Sequence, residues 1–144
     1  MDLRFRPGGY GHDISPQRWT FAAVPESVAE ARRAARAVAE RHRAGEDLTA
    51  SMLVCVSEAV TNVVLHAYRD QQRDGEVELE ADKPDGYLRV SVRDRGGGLR
   101  PRPDSPGAGY GLSLITQLAS QLTVHTGGTD GIGTELVMRF DLPG

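Results

Sequence analysis

One cysteine, Cys55, is all the sequence holds. That excludes an internal disulfide framework and fits a reducing compartment. No apolar run approaches the roughly 20 residues that span a bilayer. The opening stretch, MDLRFRPGGYGHDISP, has no apolar region, so a secretory signal is not expected. Neither charge is in excess: Lys and Arg number 17, Asp and Glu 20, for a formal net charge of −3. Such a balance leaves no electrostatic footprint for nucleic acid or an anionic membrane. There is no HExxH, no cysteine pair and no Gly-Lys-Ser/Thr, which excludes the common zinc and Walker-loop signatures. Internal repeats and domain linkers are also missing. What remains is the expectation of one soluble, cytoplasmic domain of 144 residues, long enough to bury a real core.

Glycine and proline are plentiful, and they punctuate the chain. Residues 1–16 are expected to form a loose tail, with the folded domain covering 17–144. RWTFAAV (18–24) has the pattern of a short strand. Pro25 and Glu26 open an Ala-rich helix that should stop near Gly45. Its arginines, among them Arg32, Arg33 and Arg36, suit a solvated face or a partner surface. A second helix, LTASMLVCVSEAVTNVVLHAY, follows, with Asp47 or Thr49 as cap. After Tyr68 the apolar period changes from 3.6 to 2. EVELEAD and YLRVSVRD, joined by KPDG, read as a hairpin. In the second of these strands Leu88, Val90 and Val92 share a face, and Asp94 ends that row. A long Gly/Pro-rich loop (93–111) leads to a third helix, YGLSLITQLASQ. LTVHT and ELVMRFDL then give two more strands. Strands and helices do not alternate, so a doubly wound parallel sheet is not expected. A two-layer α/β sandwich is, with a mixed, mostly antiparallel sheet covered on one face by helices.

Polar residues interrupt this scheme at four places. Glu58, Asn62 and His66 lie four residues apart on the second helix, which puts them in one row. Asp94 precedes Gly96 and Gly98. GAGYG (107–111) precedes a helix, and GIGT (131–134) precedes the last strand. Together they resemble the GHKL ATPase superfamily, with its Bergerat fold, and more narrowly the bacterial serine-protein-kinase anti-sigma factors. EAVTN-x-x-x-H-x-Y resembles that family's N-box. D-x-G-x-G-L and G-x-G-Y-G-L-S-L-I resemble its two glycine boxes, and G-x-G-T its terminal nucleotide-contact motif. The likeness spans roughly residues 18–141.

The resemblance implies ATP and Mg²⁺ as cofactors, and each motif has chemistry suited to them. Asn62 offers a hard amide oxygen to Mg²⁺, which takes the rest of its shell from water and phosphate. Glu58 is placed to accept a proton from an attacking hydroxyl. His66 either contacts phosphate or is a hydrogen-bonded residue at the helix end. A carboxylate is acceptor-only, so Asp94 selects the N6 amino group of adenine. Thr134, by resemblance, supports the same base edge. Gly96 and Gly98 allow close backbone approach to base and sugar. Gly107, Gly109, Tyr110, Gly111 and Leu112 lead into a helix whose amides hold phosphate without side-chain charge.

The function implied is that of an ATP-dependent Ser/Thr kinase. It would hold a sigma factor inactive and phosphorylate a STAS-type anti-anti-sigma antagonist, as a homodimer. The segment RPRPDSP between the glycine boxes is short for a lid, and short lids exclude less water. The alternative is therefore a sequestering module in which ATP sets affinity only.

Overall fold

A computed structural model of the chain describes residues 16–68, 75–96, 112–127 and 133–143. Five strands form one sheet: β1 (Gln17–Ala22), β2 (Glu76–Asp82), β3 (Tyr87–Asp94), β4 (Gln121–Thr126) and β5 (Thr134–Asp141), in the order β1-β2-β3-β5-β4. All four pairings are antiparallel, so the parallel component expected of a mixed sheet is not found among the described strands. β1 begins one residue earlier than its sequence pattern suggested and ends at Ala22. The β2–β3 hairpin has the expected bounds.

Directly opposed residues in an antiparallel ladder share a face, and the register here carries one apolar row across every strand: Trp19, Leu79, Val92, Leu136 and Val124. The neighbouring row runs through Ala81, Val90, Met138 and Leu122. The opposite face alternates charge instead. Arg18 meets Glu80 at 3.0 Å, Arg89 meets Asp82 at 2.6 Å, and Arg93 bridges Glu78 at 3.4 Å and Glu135 at 3.1 Å. Exposed pairs of this kind contribute about 0–1 kcal/mol each. Their value lies in keeping this face soluble, and the helices accordingly cover only the other one.

Two long helices form the second layer. In α1 (Glu26–Arg41), Ala31, Ala34, Ala35, Val38 and Ala39 are buried at helical spacing. The small side chains let it lie close to α2 (Glu46–Asn62), whose Met52, Val56 and Val60 are fully buried. The Ser27 hydroxyl donates to the Ala22 carbonyl at 2.5 Å and ties the start of α1 to the end of β1. α1 closes earlier than Gly45. Arg43 takes the left-handed conformation, with φ 57°. The Ala44 amide donates to the Ala39 carbonyl at 2.8 Å and the Arg43 amide to Glu40 at 3.2 Å, a Schellman closure made without glycine. Gly45 is the N-cap of α2 instead, and the expected caps Asp47 and Thr49 lie inside the first turn. α3 (Leu112–Leu118) buries Ile115.

The second helix does not continue regularly to Tyr68. It is α-helical through Asn62 and π-helical over Val63–Ala67. By length and composition alone, Glu46–Ala67 could cross a membrane, a test that the core helix of a folded domain also passes. Its packing is that of the core helix of the sandwich.

Candidate functional site

The last inward row of the sheet changes character along its length. It is apolar in β1 and β2, at Phe21 and Val77, and polar from β3 onward, at Asp94, Thr134 and Thr126. Asp94 is 3% exposed and Thr134 5%. The Asp94 carboxylate accepts the Gly96 amide at 2.9 Å and the backbone amide of Thr134. Burial nonetheless wins: it pushes the carboxyl from 3.8 up to about 6 against the pull of both amides. A buried carboxylate in that condition is short of donors, and a ligand bearing N–H groups would supply them.

Two glycines make this corner possible. A Cβ on Gly96 would sit 2.1 Å from the Ala67 carbonyl oxygen, so the turn after Asp94 lies directly on the end of the π segment. Gly133, with φ 89°, would bring a Cβ to 2.3 Å from the Asp94 carbonyl. The end of β3, the start of β5 and the end of the second helix therefore meet at one point.

Asn62 is the last α-helical residue before that point and is 5% exposed. Its Nδ2 is buried with no partner among the described residues. A buried amide N–H without an acceptor marks a place where a ligand oxygen would be received. An amide oxygen fits Mg²⁺ as a donor. Among the described residues no group of three His, Cys, Asp or Glu would hold a metal. An ion at Asn62 would thus take most of its shell from water and phosphate, as Mg²⁺ commonly does. Glu58 lies one turn earlier on the same face and is half-buried. Its charge adds to the effect of burial on Cys55, whose thiol is pushed up to about 11 and is inert at neutral pH.

The three-residue row expected on the second helix spans two kinds of helix. Glu58 and Asn62 are aligned in α2, but His66 lies on the π segment. Leu112 is half-buried at the start of α3. Gly98, Gly107, Gly109, Tyr110 and Gly111 lie outside the described residues, as does the RPRPDSP segment. The sequence reading assigned no role to Tyr68, although it closes the N-box motif. Its hydroxyl donates to the Glu76 carbonyl at 2.5 Å and accepts the Arg95 amide at 3.0 Å. Nothing in the sequence reveals that reach.

A family model described as the histidine kinase-like ATPase domain matches residues 21–140. The chain belongs to this family. The ATPase domain is 34% identical over 130 residues to an anti-sigma F factor of Pasteuria penetrans, covering 82% of this chain and 85% of that one. It is 35% identical over 118 residues to the serine-protein kinase RsbW of Oceanobacillus iheyensis, covering 72% and 74%. In fold it is similar to the crystal structure of the RsbU and RsbW domains of a Mycobacterium tuberculosis protein. That match has TM-score 0.68 and 24% identity; it covers 89% of this ATPase domain and 32% of the two-domain chain. The α/β sandwich is therefore that of the GHKL ATPases, and its relatives include anti-sigma factors and protein kinases.

Proposed function

We propose that this protein binds Mg-ATP between Asp94 and Asn62 and works as an anti-sigma factor and Ser/Thr kinase on a STAS-type antagonist. The observation that carries the reading is the Asp94 carboxylate, buried and held by two backbone amides that do not offset its desolvation. Adenine N6 brings the missing donors, and guanine, with an acceptor at that position, does not. Thr134 lies beside Asp94 on the same row and supports the same base edge. Asn62 is the residue that would hold Mg²⁺, and the ion would supply positive charge against the phosphates. Glu58 takes the proton of the attacking hydroxyl as the new P–O bond forms and ADP leaves. His66, on the π segment, serves the helix end or a phosphate oxygen. Gly98 joins Gly96 near the base, and Gly107, Gly109, Tyr110, Gly111 and Leu112 are assigned to the phosphates. The names of the relatives support a sigma factor and an anti-anti-sigma protein as partners. A homodimer in the cytoplasm, without direct nucleic-acid or membrane contact, completes the reading.

The test is capture of partners from native extract with and without Mg-ATP, followed by phosphosite mapping. A phosphorylated Ser or Thr on one captured protein is expected. Glu58→Ala should lower transfer by about 10²–10⁴-fold and leave ATP affinity unchanged. Transfer that survives in this variant would remove Glu58 from the chemistry. The short RPRPDSP segment favours a second reading, a sequestering module of the same fold. ATP-dependent capture with no phosphorylated partner would select it.

A further inference from the structure

Tyr68 sits where three segments of the site converge. It caps the π segment that follows Asn62, its φ and ψ of −117° and 13° ending the helix there. Its hydroxyl donates to the Glu76 carbonyl at the start of β2 and accepts the amide of Arg95, the residue between Asp94 and Gly96. The ring lies on two glycines. A Cβ on Gly75 would come 2.1 Å from ring atoms, and one on Gly96 would come 2.8 Å from Cδ1. Two consecutive amides of one turn are thus used in different directions. Arg95 N–H goes to Tyr68, and Gly96 N–H goes to the Asp94 carboxylate. The phenol holds the first, and the second holds the carboxylate one residue on, so the turn is pinned at two adjacent points.

We propose that Tyr68 is a positioning residue for adenine recognition: its hydroxyl locks the Asp94–Gly96 turn against the helix carrying Asn62 and so aims the Asp94 carboxylate at the base. This deepens the nucleotide reading of the site and rests on it. A tyrosine serving only to pack the helix end would act through its ring. A positioning tyrosine acts through its oxygen, because the oxygen is what accepts the Arg95 amide. Loss of that acceptor leaves the Arg95 amide to water and frees the turn to rotate the carboxylate away from the amino group. Phosphate contacts made elsewhere are not involved, so the effect is confined to the base.

Tyr68→Phe keeps the ring on both glycines and removes only the hydroxyl. The experiment compares ATP with inosine triphosphate, which carries the same phosphates but an acceptor oxygen in place of the N6 amino group. Wild-type protein is expected to favour ATP. In Tyr68→Phe the ATP dissociation constant should rise about fivefold, as for loss of one hydrogen bond, while that for inosine triphosphate stays unchanged. The preference ratio thus falls by the same factor. A ratio equal to that of wild type, even with a lower melting temperature, overturns the proposal and leaves Tyr68 a packing residue. Equal fall in both affinities also overturns it, since the hydroxyl would then serve the whole pocket. Wild-type protein that binds both nucleotides equally would instead refute the adenine reading of Asp94 itself.

Discussion

In the proposed reading, the stability cost of Asp94 and its ligand preference share one cause. Its carboxyl is pushed from 3.8 up to about 6 because burial removes water faster than the Gly96 and Thr134 amides replace it. A rise of that size corresponds to about 3 kcal/mol held against the charged form at neutral pH. The free protein carries that cost, and a base that donates N–H groups relieves it. Asp94→Asn separates the two effects. Its amide oxygen can still accept from Gly96 and Thr134, but it has no charge to desolvate. At pH 8 the variant is expected to be more stable than wild type by about 1–3 kcal/mol in urea unfolding, and to bind ATP more weakly in calorimetry. A variant that is stabilised yet binds ATP normally would show that Asp94 is a structural carboxylate. The sequence already marked this residue, since Leu88, Val90, Val92 and Asp94 alternate onto one face, and all four are buried. Thr134 was brought to the same base edge by resemblance alone, because strand patterning does not show β5 inserting between β3 and β4.

At the scale of elements, strand pattern was easier to read than helix ends. A period of two fixed both β2 and β3, because one buried face tolerates no slip of a single residue. Helix ends depend on a few local hydrogen bonds that several nearby residues are equally able to make. Gly45 looked like the stop of α1 by composition. The chain turned two residues earlier at Arg43, which left Gly45 to start α2. A non-glycine residue in the left-handed region carries a cost of roughly 1 kcal/mol. Arg43→Gly removes it while the Schellman bonds of Arg43 and Ala44 stay in place. Part of the gain is offset by the greater freedom of glycine in the unfolded chain. The net expectation is about 0.5–1 kcal/mol of stabilisation, seen as a rise in melting temperature of about 1–4 °C. No rise, or a fall, would mean that the Arg43 side chain makes contacts worth more than its backbone strain. The π segment had no sequence signal at all. Val63 and Val64 fit an α-helical stripe, and the wider turn follows from the need to lay Ala67 and Tyr68 on the Gly96 turn, a tertiary constraint.

For the whole molecule, Asp94 couples acidity to folding and to binding with opposite signs. Between about pH 3.8 and 6 the folded protein holds a proton on Asp94 that the unfolded chain has released. The contribution of this group to stability is therefore fully present at the acid end of that window and is lost as pH rises through about 6. Under the proposed adenine contact binding runs the other way, because the ionised carboxylate is the form that would accept from adenine. As pH falls below about 6, ATP affinity should drop by up to tenfold per unit, while the free protein gains stability from the same protonation. Nucleotide phosphates also titrate in this region, so the informative quantity is the difference between ATP and inosine triphosphate. At pH 6 ATP should release about half a proton more than inosine triphosphate on binding, read from the buffer dependence of the calorimetric heat. Asp94→Asn should abolish that difference and flatten the pH profile of ATP binding. An ATP affinity that holds constant from pH 7 to 5 in wild type, with no extra proton released, would mean that the carboxylate meets the base already paired by a group other than its two amides. The donor shortage at the end of β3 would then not be what selects the nucleotide.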